Sequence, residues 1–203
     1  MTVEQIVAQV TSSSSHPNRV TFVQLRDKRL SREQSLHLGK VLRHITAQAN
    51  VAFVVNDDIQ LAALLQADGV HLGQEDESVS VARHVLGNDA IVGVSADCEQ
   101  QIDVAIAHGA DYVGVGPVFA TSSKADAGDA IGEYRLRQLV EYTRSRIPVV
   151  AIGGIDATNA SLCKRAGADG VAVISAIMRN ENPQHAAYHL SSIMNAPNVA
   201  PLT

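Results

Sequence analysis

Short apolar runs alternate along this chain with stretches whose apolar residues recur every three or four positions. Val20–Leu25, Val51–Val55, Gly69–Leu72, Ala90–Val94, Tyr112–Phe119, Val149–Ile152 and Gly170–Ile174 are runs of strand length, most of them rich in β-branched residues. Between them, Leu36, Leu38, Val41, Leu42 and Ile45 line a helix, and Ser31 with Gln34 stands before it at capping-box spacing. Val79–Leu86, Ile102–Ala107, the segment carrying Leu136, Leu139, Val140 and Tyr142, and Asn159–Ala166 predict further helices, with a last one starting near Pro183. The chain opens on a helix, Thr2–Val10, and a loop that runs through Ser12–Asn18, while residues past Ala196 are expected to fray.

The stretch Val54–Asp76 contains one full repeat of this alternation: strand, helix, strand. Crossovers of this kind are right-handed and join parallel strands, so the clusters Asn56-Asp57-Asp58 and Gly73-Gln74-Glu75-Asp76 fall at the same carboxyl end of a sheet. Ala67-Asp68-Gly69-Val70, Ala110-Asp111-Tyr112-Val113 and Ala168-Asp169-Gly170-Val171 echo one another at helix-to-strand joints, which marks a repeated βα unit. Runs such as VAFVV and GVAVIS are apolar on both faces, as a parallel sheet covered by helices requires. Two α/β architectures fit, a TIM (βα)8-type barrel and an open doubly wound sheet. No GxGxxG follows the first strand, which weakens the dinucleotide-binding form of the second. The barrel is favoured because Arg26, Lys28, Asn56, Asp57, Asp76, Ser95, Thr121, Lys124, Gly154 and Ser175 all fall at carboxyl ends of strands, where barrel enzymes keep their chemistry.

Composition narrows the classes. With 203 residues, 46% of them apolar, and no low-complexity tract, the chain is expected to form a single domain over residues 1–203. A net charge of −5 and the absence of Trp argue against a nucleic-acid surface, so any anion must be met by a local cluster. Cys98 and Cys163 lack metal or redox spacing and fall in predicted helices, as reduced core thiols of a cytoplasmic protein would. No basic leader and no run of about 18 apolar residues is present, so a soluble protein without a membrane partner is expected.

Asp57 and Asp76, on two strand ends, suit a magnesium ion that keeps waters and phosphate oxygens as its other ligands. The alternative is that Asp57 or Asp58 only caps the helix beginning at Ile59. Arg26, Lys28 and Lys124 beside such an ion would suit a diphosphate. Gly153-Gly154 and Ile174-Ser175 follow the last two strands, where barrels commonly bind phosphate, and Thr121 and Ser123 offer hydroxyls to the same anion.

Seven segments then coincide in order and spacing: VQLRDK (23–28), VVNDD (54–58), ADGVHLGQED (67–76), GVSA (93–96), ADYVGVGPVFATSSK (110–124), AIGGI (151–155) and AVISAI (172–177). Through them the chain resembles the thiamine-phosphate synthases. The resemblance implies a transferase that joins a hydroxymethylpyrimidine diphosphate to a thiazole phosphate and releases pyrophosphate. It implies that Gln24, Leu25, Arg26, Asp27, Lys28, Asn56, Ser95 and Lys124 hold the diphosphate substrate, with Gln24 and Tyr112 nearest the pyrimidine ring. Arg26, Lys28, Ser95 and Lys124 would be the catalytic groups, Asp57 and Asp76 would bind Mg2+, and Thr121, Ser122, Ser123, Gly154, Ile174 and Ser175 would hold the thiazole phosphate.

Three departures from that family stand out. The loop usually reading Pro-Thr-x-Thr-Lys is Ala120-Thr121-Ser122-Ser123-Lys124, the run Ser12–Asn18 replaces a tighter turn, and no strand precedes the helix Thr2–Val10. The barrel is therefore expected to lack its first strand, with a slot between the strands at Val20 and Gly170 that another segment or a homo-oligomeric partner would fill. Two other functions compete: a thiazole tautomerase, which would carry a histidine where Asp97 stands, and a non-catalytic remnant that binds thiamine phosphates.

Overall fold

The computed structural model describes residues 1–12, 20–123 and 128–197. Its elements follow one another as α1 (Val3–Thr11), β1 (Phe22–Leu25), α2 (Arg32–Gln48), β2 (Ala52–Asn56), α3 (Ile59–Leu64), β3 (Gly69–Leu72), α4 (Val79–Leu86) and β4 (Ile91–Ser95). They continue as α5 (Glu99–Ala107), β5 (Tyr112–Val115), α6 (Gly132–Thr143), β6 (Val149–Ile152), α7 (Ala160–Arg165), β7 (Gly170–Ala172), α8 (Ser175–Met178) and α9 (Pro183–Asn195). The seven strands pair in sequence order, each parallel to the next, so the order reversal of a doubly wound sheet is absent among them. Among the described residues this is a TIM-type α/β fold with seven strands.

Alternation along the strands separates two faces. Phe53, Val55, Val70, Leu72, Val92, Val113, Val115, Val149 and Ala151 are almost fully buried in the main core, together with helix residues such as Ile59, Ile102, Leu136 and Leu139. The alternate set, including Gln24, Asn56, His71, Ser95 and Tyr112, lies on the opposite face. There the Phe22 and Tyr112 rings meet edge-on with centroids 6.2 Å apart, linking β1 to β5 across the interior of the curl.

The repeated Ala-Asp joints have a structural reason. Asp68 accepts the Phe53 N–H at 2.7 Å, Asp111 the Val92 N–H at 2.7 Å and Asp169 the Val149 N–H at 2.8 Å. Each carboxylate thus satisfies an amide at the amino-terminal side of the strand before it, and the strands are tied two by two: β2 to β3, β4 to β5, β6 to β7. Arg43 and Arg83 brace the first two of these aspartates at 2.8 and 2.9 Å. Among the described residues β1 carries no such clamp.

The helical layer closes where the sheet does not. α1, capped by the Thr2 side chain with a full capping box, packs against α2 and α9. Ile6 and Val10 form a small cluster with Ala187, flanked by Val20, Ile177 and Met178. Gln184 adds a hydrogen bond to Ser12 at 3.2 Å. The sheet itself has no pairing between β1 and β7.

Three expectations need correction. The fifth strand ends at Val115 rather than Phe119, because Pro117 has no N–H for a ladder and Val118 and Phe119 donate instead to Ile152 O (2.8 Å) and Gly153 O (3.1 Å). The last strand ends at Ala172 rather than Ile174, and the residues after it turn into α8, too short to show in apolar spacing. Cys98 is not inside a helix but precedes α5 as its half-buried N-cap residue, while Cys163 is buried in α7 as expected. In α2, Leu36, Leu38, Leu42 and Ile45 pack into or against the core as expected, and Gly39 adds a close approach to Leu65. The loop from Ser13 to Asn18, Lys124 and the tail from residue 198 lie outside the described residues.

Candidate active site

The pocket at the carboxyl ends of the strands has a cavity volume of about 420 Å³. The sequence-predicted Arg26, Lys28, Asn56, Asp57 and Asp76 line one side, and Ser95 stands between them and the far side. Thr121, Ser123, Gly154, Ile174 and Ser175 line that far side. Eleven predicted positions from six strand ends and one loop therefore converge on a single cavity.

Local structure decides the fork at Asn56-Asp57-Asp58. Asp58 caps α3, accepting the Leu61 N–H at 2.7 Å, and its other oxygen pairs with Arg32 at 2.9 Å. Asp57 does not cap. Its backbone adopts a left-handed conformation, φ 65°, with its N–H donated to His71 O at 2.8 Å, which aims the carboxylate into the pocket. A non-glycine residue held there costs on the order of 1 kcal/mol, a strain typical of functional positions.

Asp57 and Asp76 face each other within hydrogen-bond reach. Burial, and then the hydrogen bond and charge of Asp76, push the Asp57 carboxyl up to about 6, against the smaller opposing pull of Lys28 and Arg26. Lys28 Nζ lies 3.9 Å from Asp57. Asp76 is fixed by the Gly73 N–H at 2.6 Å. Two carboxylates sharing one partly desolvated spot fit a divalent cation. Among the described residues no group of three or more His, Cys, Asp and Glu is placed to hold a metal, so protein ligation would stop at the pair, as magnesium beside a phosphate tolerates.

The rest of the predicted set is distributed less evenly. Gln24 is exposed and donates to Asn56 Oδ1 at 2.7 Å, and it does not line the cavity. Leu25 is buried on the helix-facing side of β1, so its side chain turns away from the cavity. Asp27 is engaged by Arg29, through its guanidinium and its backbone N–H, which hold the Asp27 carboxyl down at about 2, and it does not line the cavity. Ser122 is exposed and also lies off the lining. Lys124 falls outside the described residues.

Two residues escaped the sequence reading. His71, in the apolar run of β3, is 8% exposed, and its ring nitrogens lie 3.0 Å from the hydroxyls of Tyr112 and Ser95. Gln74 lines the pocket and donates to Ser95 O. The signal for His71 was the inward glycines beside it. A Cβ on Gly114 would come 3.0 Å from its ring, and one on Gly93 would come 2.1 Å from that of Tyr112. On the far side, Asn159 holds Gly154 O at 2.9 Å. Gly154 itself has φ 63° and no room for a Cβ, which would meet the carbonyls of Ala120 and Phe119 at 2.5 and 2.7 Å.

Comparison with known proteins identifies the family. The profile of the thiamine monophosphate synthase family matches residues 2–177. A thiamine-phosphate synthase of Haloarcula marismortui is 46% identical over 194 residues, covering 94% of this chain and 89% of that protein. One from Moorella thermoacetica is 44% identical over 174 residues, covering 86% and 82%. The solved thiamine phosphate pyrophosphorylase from Pyrococcus furiosus superposes with a TM-score of 0.82 at 36% identity, covering 95% of this chain and 89% of that one.

Proposed function

From the premise that this chain belongs to the thiamine monophosphate synthase family, and so is a transferase of thiamine biosynthesis acting on small molecules, we propose which residues of the pocket carry the condensation and that it needs magnesium. The observation that carries the magnesium proposal is the Asp57–Asp76 pair, with Arg26 and Lys28 on the same side of the cavity. Magnesium held there would supply positive charge to the leaving diphosphate. Arg26 and Lys28 would meet the remaining phosphate oxygens, with Lys124 joining them from its loop. The pyrimidine ring would lie toward Gln24 and Tyr112. Thr121, Ser123, Gly154 and Ser175 would hold the phosphate of the thiazole so that its ring nitrogen faces the pyrimidine methylene.

In the condensation the bond from the methylene carbon to the diphosphate oxygen breaks, its electron pair leaves with pyrophosphate, and the thiazole nitrogen supplies the pair for the new carbon–nitrogen bond. No protein nucleophile is needed. The side chains serve leaving-group charge and alignment, and loss of one preorganised contact of this kind typically costs about 3 kcal/mol, roughly a hundredfold in rate. The tautomerase and remnant readings are not favoured, because the similar proteins are synthases and Asp97 stands at the tautomerase histidine position.

The test is conversion of both substrates by the purified protein, followed by product analysis. Equimolar thiamine phosphate and pyrophosphate are expected. Aromatisation of a thiazole precursor without any condensation would overturn the assignment.

A further inference from the structure

Beneath the diphosphate side of the pocket, three side chains from three successive strands form a row: Tyr112 on β5, His71 on β3 and Ser95 on β4. Tyr112 Oη lies 3.0 Å from His71 Nδ1, and His71 Nε2 lies 3.0 Å from Ser95 Oγ. The register makes this possible. Gly93 pairs with both His71 and Tyr112, and Gly114 with Ser95; the Tyr112 ring lies over Gly93 and the His71 ring over Gly114, neighbours that have no side chain. The Tyr112 and His71 rings also stack at a tilt, with centroids 5.4 Å apart.

We propose that His71 is a positioning residue that turns the Ser95 hydroxyl into a hydrogen-bond donor aimed at an anionic oxygen of the diphosphate. A neutral imidazole has one N–H and one acceptor nitrogen, so a histidine between two hydroxyls gives the row a direction. If Tyr112 donates to Nδ1, then Nε2–H donates to Ser95 Oγ, and the serine proton is left to point into the cavity. In the opposite direction Ser95 would spend its proton on Nε2 and present only lone pairs to an anion. The first direction fits an anionic ligand. Burial, followed by the charge of Asp111, pushes the Tyr112 hydroxyl up to about 12, so it keeps the proton it must donate. Gln74 fixes the other end of the serine by donating to its carbonyl. The inference rests on the diphosphate side assigned above, and it is tested by ligand binding so that the two can fail separately.

The experiment measures binding of inorganic pyrophosphate with magnesium by calorimetry. The proteins are wild type, His71→Phe, His71→Gln, His71→Asn, Ser95→Ala and the His71→Phe/Ser95→Ala double variant. Glutamine places a donor near the Nε2 position, asparagine reaches only the Nδ1 position, and phenylalanine keeps volume without polarity. His71→Phe should weaken binding about tenfold, the worth of one charge-directed hydrogen bond, and His71→Asn should follow it, while His71→Gln stays within about threefold of wild type. In the Ser95→Ala background, His71→Phe should add less than a factor of about two. Nitrogen-15 NMR, assigned by the signal lost in His71→Gln, should show the proton on Nε2. Equal losses for phenylalanine and glutamine, an undiminished loss in the Ser95→Ala background, or a proton on Nδ1 would each overturn the proposal. If His71→Phe does not fold, the asparagine and glutamine pair carries the same contrast. Wild type that binds pyrophosphate but makes no thiamine phosphate would refute the functional reading and leave the relay standing on its own result, and wild type that binds no pyrophosphate would refute both.

Discussion

On the arc from β3 to β5, the interior of the curl is filled by the Tyr112 and His71 rings set into the spaces of Gly93 and Gly114 respectively, and the outward valines Val70, Val92 and Val113 are fully buried. At the seam between β1 and β7 the same kind of inward position is left open. Phe22 is 46% exposed, Ile174, just past β7, is 45% exposed, and every residue of β7 is only half buried. The helices close over this seam through α1, α2 and α9, yet the strands beneath do not. The difference runs through the site itself. Asp57, Asp76, Ser95 and the His71 row stand on or just past paired, clamped strands, whereas Arg26 and Lys28 past β1 and Ile174 and Ser175 past β7 line the same cavity from the two sides of the open seam.

The sharpest way to break the contrast is to fill the seam. An added five-residue apolar strand ahead of Thr2, ending in a polar residue, should raise the melting temperature and the activity together. At roughly 2 kcal/mol per large apolar side chain newly buried, several kcal/mol are at stake against a total of about 5 to 15 kcal/mol. Unchanged thermal unfolding would mean that the helical layer already completes the core.

A smaller effect should appear at the thiazole-phosphate side. Gly154→Ala drives a methyl group into the Ala120 and Phe119 carbonyls and strains a left-handed backbone, so the loop bearing Thr121 and Ser123 must shift. The KM for the thiazole phosphate should rise about tenfold or more, with the diphosphate KM changed far less. Equal changes in both would move that phosphate elsewhere.

The clamps predict a stability cost without a catalytic one. Asp111→Ala leaves the Val92 N–H without its acceptor and Arg83 without its carboxylate, a loss of about 1–3 kcal/mol read by denaturant unfolding. Asp111→Asn, which keeps an acceptor, should lose less.

The smallest effect runs the other way. Because Asp57 titrates near 6 when folded and near its ordinary 3.8 when unfolded, the metal-free fold carries the cost of its charge above pH 6. That cost is relieved as pH falls from 6 toward 4, where the folded form takes up the proton first. Asp57→Asn should therefore raise the metal-free melting temperature at pH 7.5 by about 1–2 °C and flatten this part of its pH dependence, the gain being small because the group is partly exposed. A lower melting temperature for the variant would show that Asp57 is not under repulsion.

Most of the fold was legible because its strands are continuous apolar runs, and Val79–Leu86 and Val149–Ile152 match their predicted limits. The overrun past Val115 came from giving the apolar residues of GVGPVF more weight than the proline among them. At the site, residues on strand ends were legible because topology alone brings them to one face. The role of Asp57 against Asp58 was not, since both fit a cap and only the backbone turn at Asp57 separates them. His71 was hidden for a related reason. In GVHL it is one polar residue in a buried strand, and its partners come from two other strands whose register must be known first.

We propose that the ends of the clamped strands β2 and β3 carry the chemistry through one magnesium ion shared by Asp57 and Asp76. The most direct test is the rate of thiamine phosphate formation across a magnesium titration, in wild type and in Asp57→Ala and Asp76→Ala with folding checked by circular dichroism. The account predicts saturable activation of wild type, loss of turnover in chelator with recovery on adding magnesium back, and rates lower by about a hundredfold or more in either variant. Undiminished turnover in chelator, or variants that match wild type at every magnesium concentration, would contradict it.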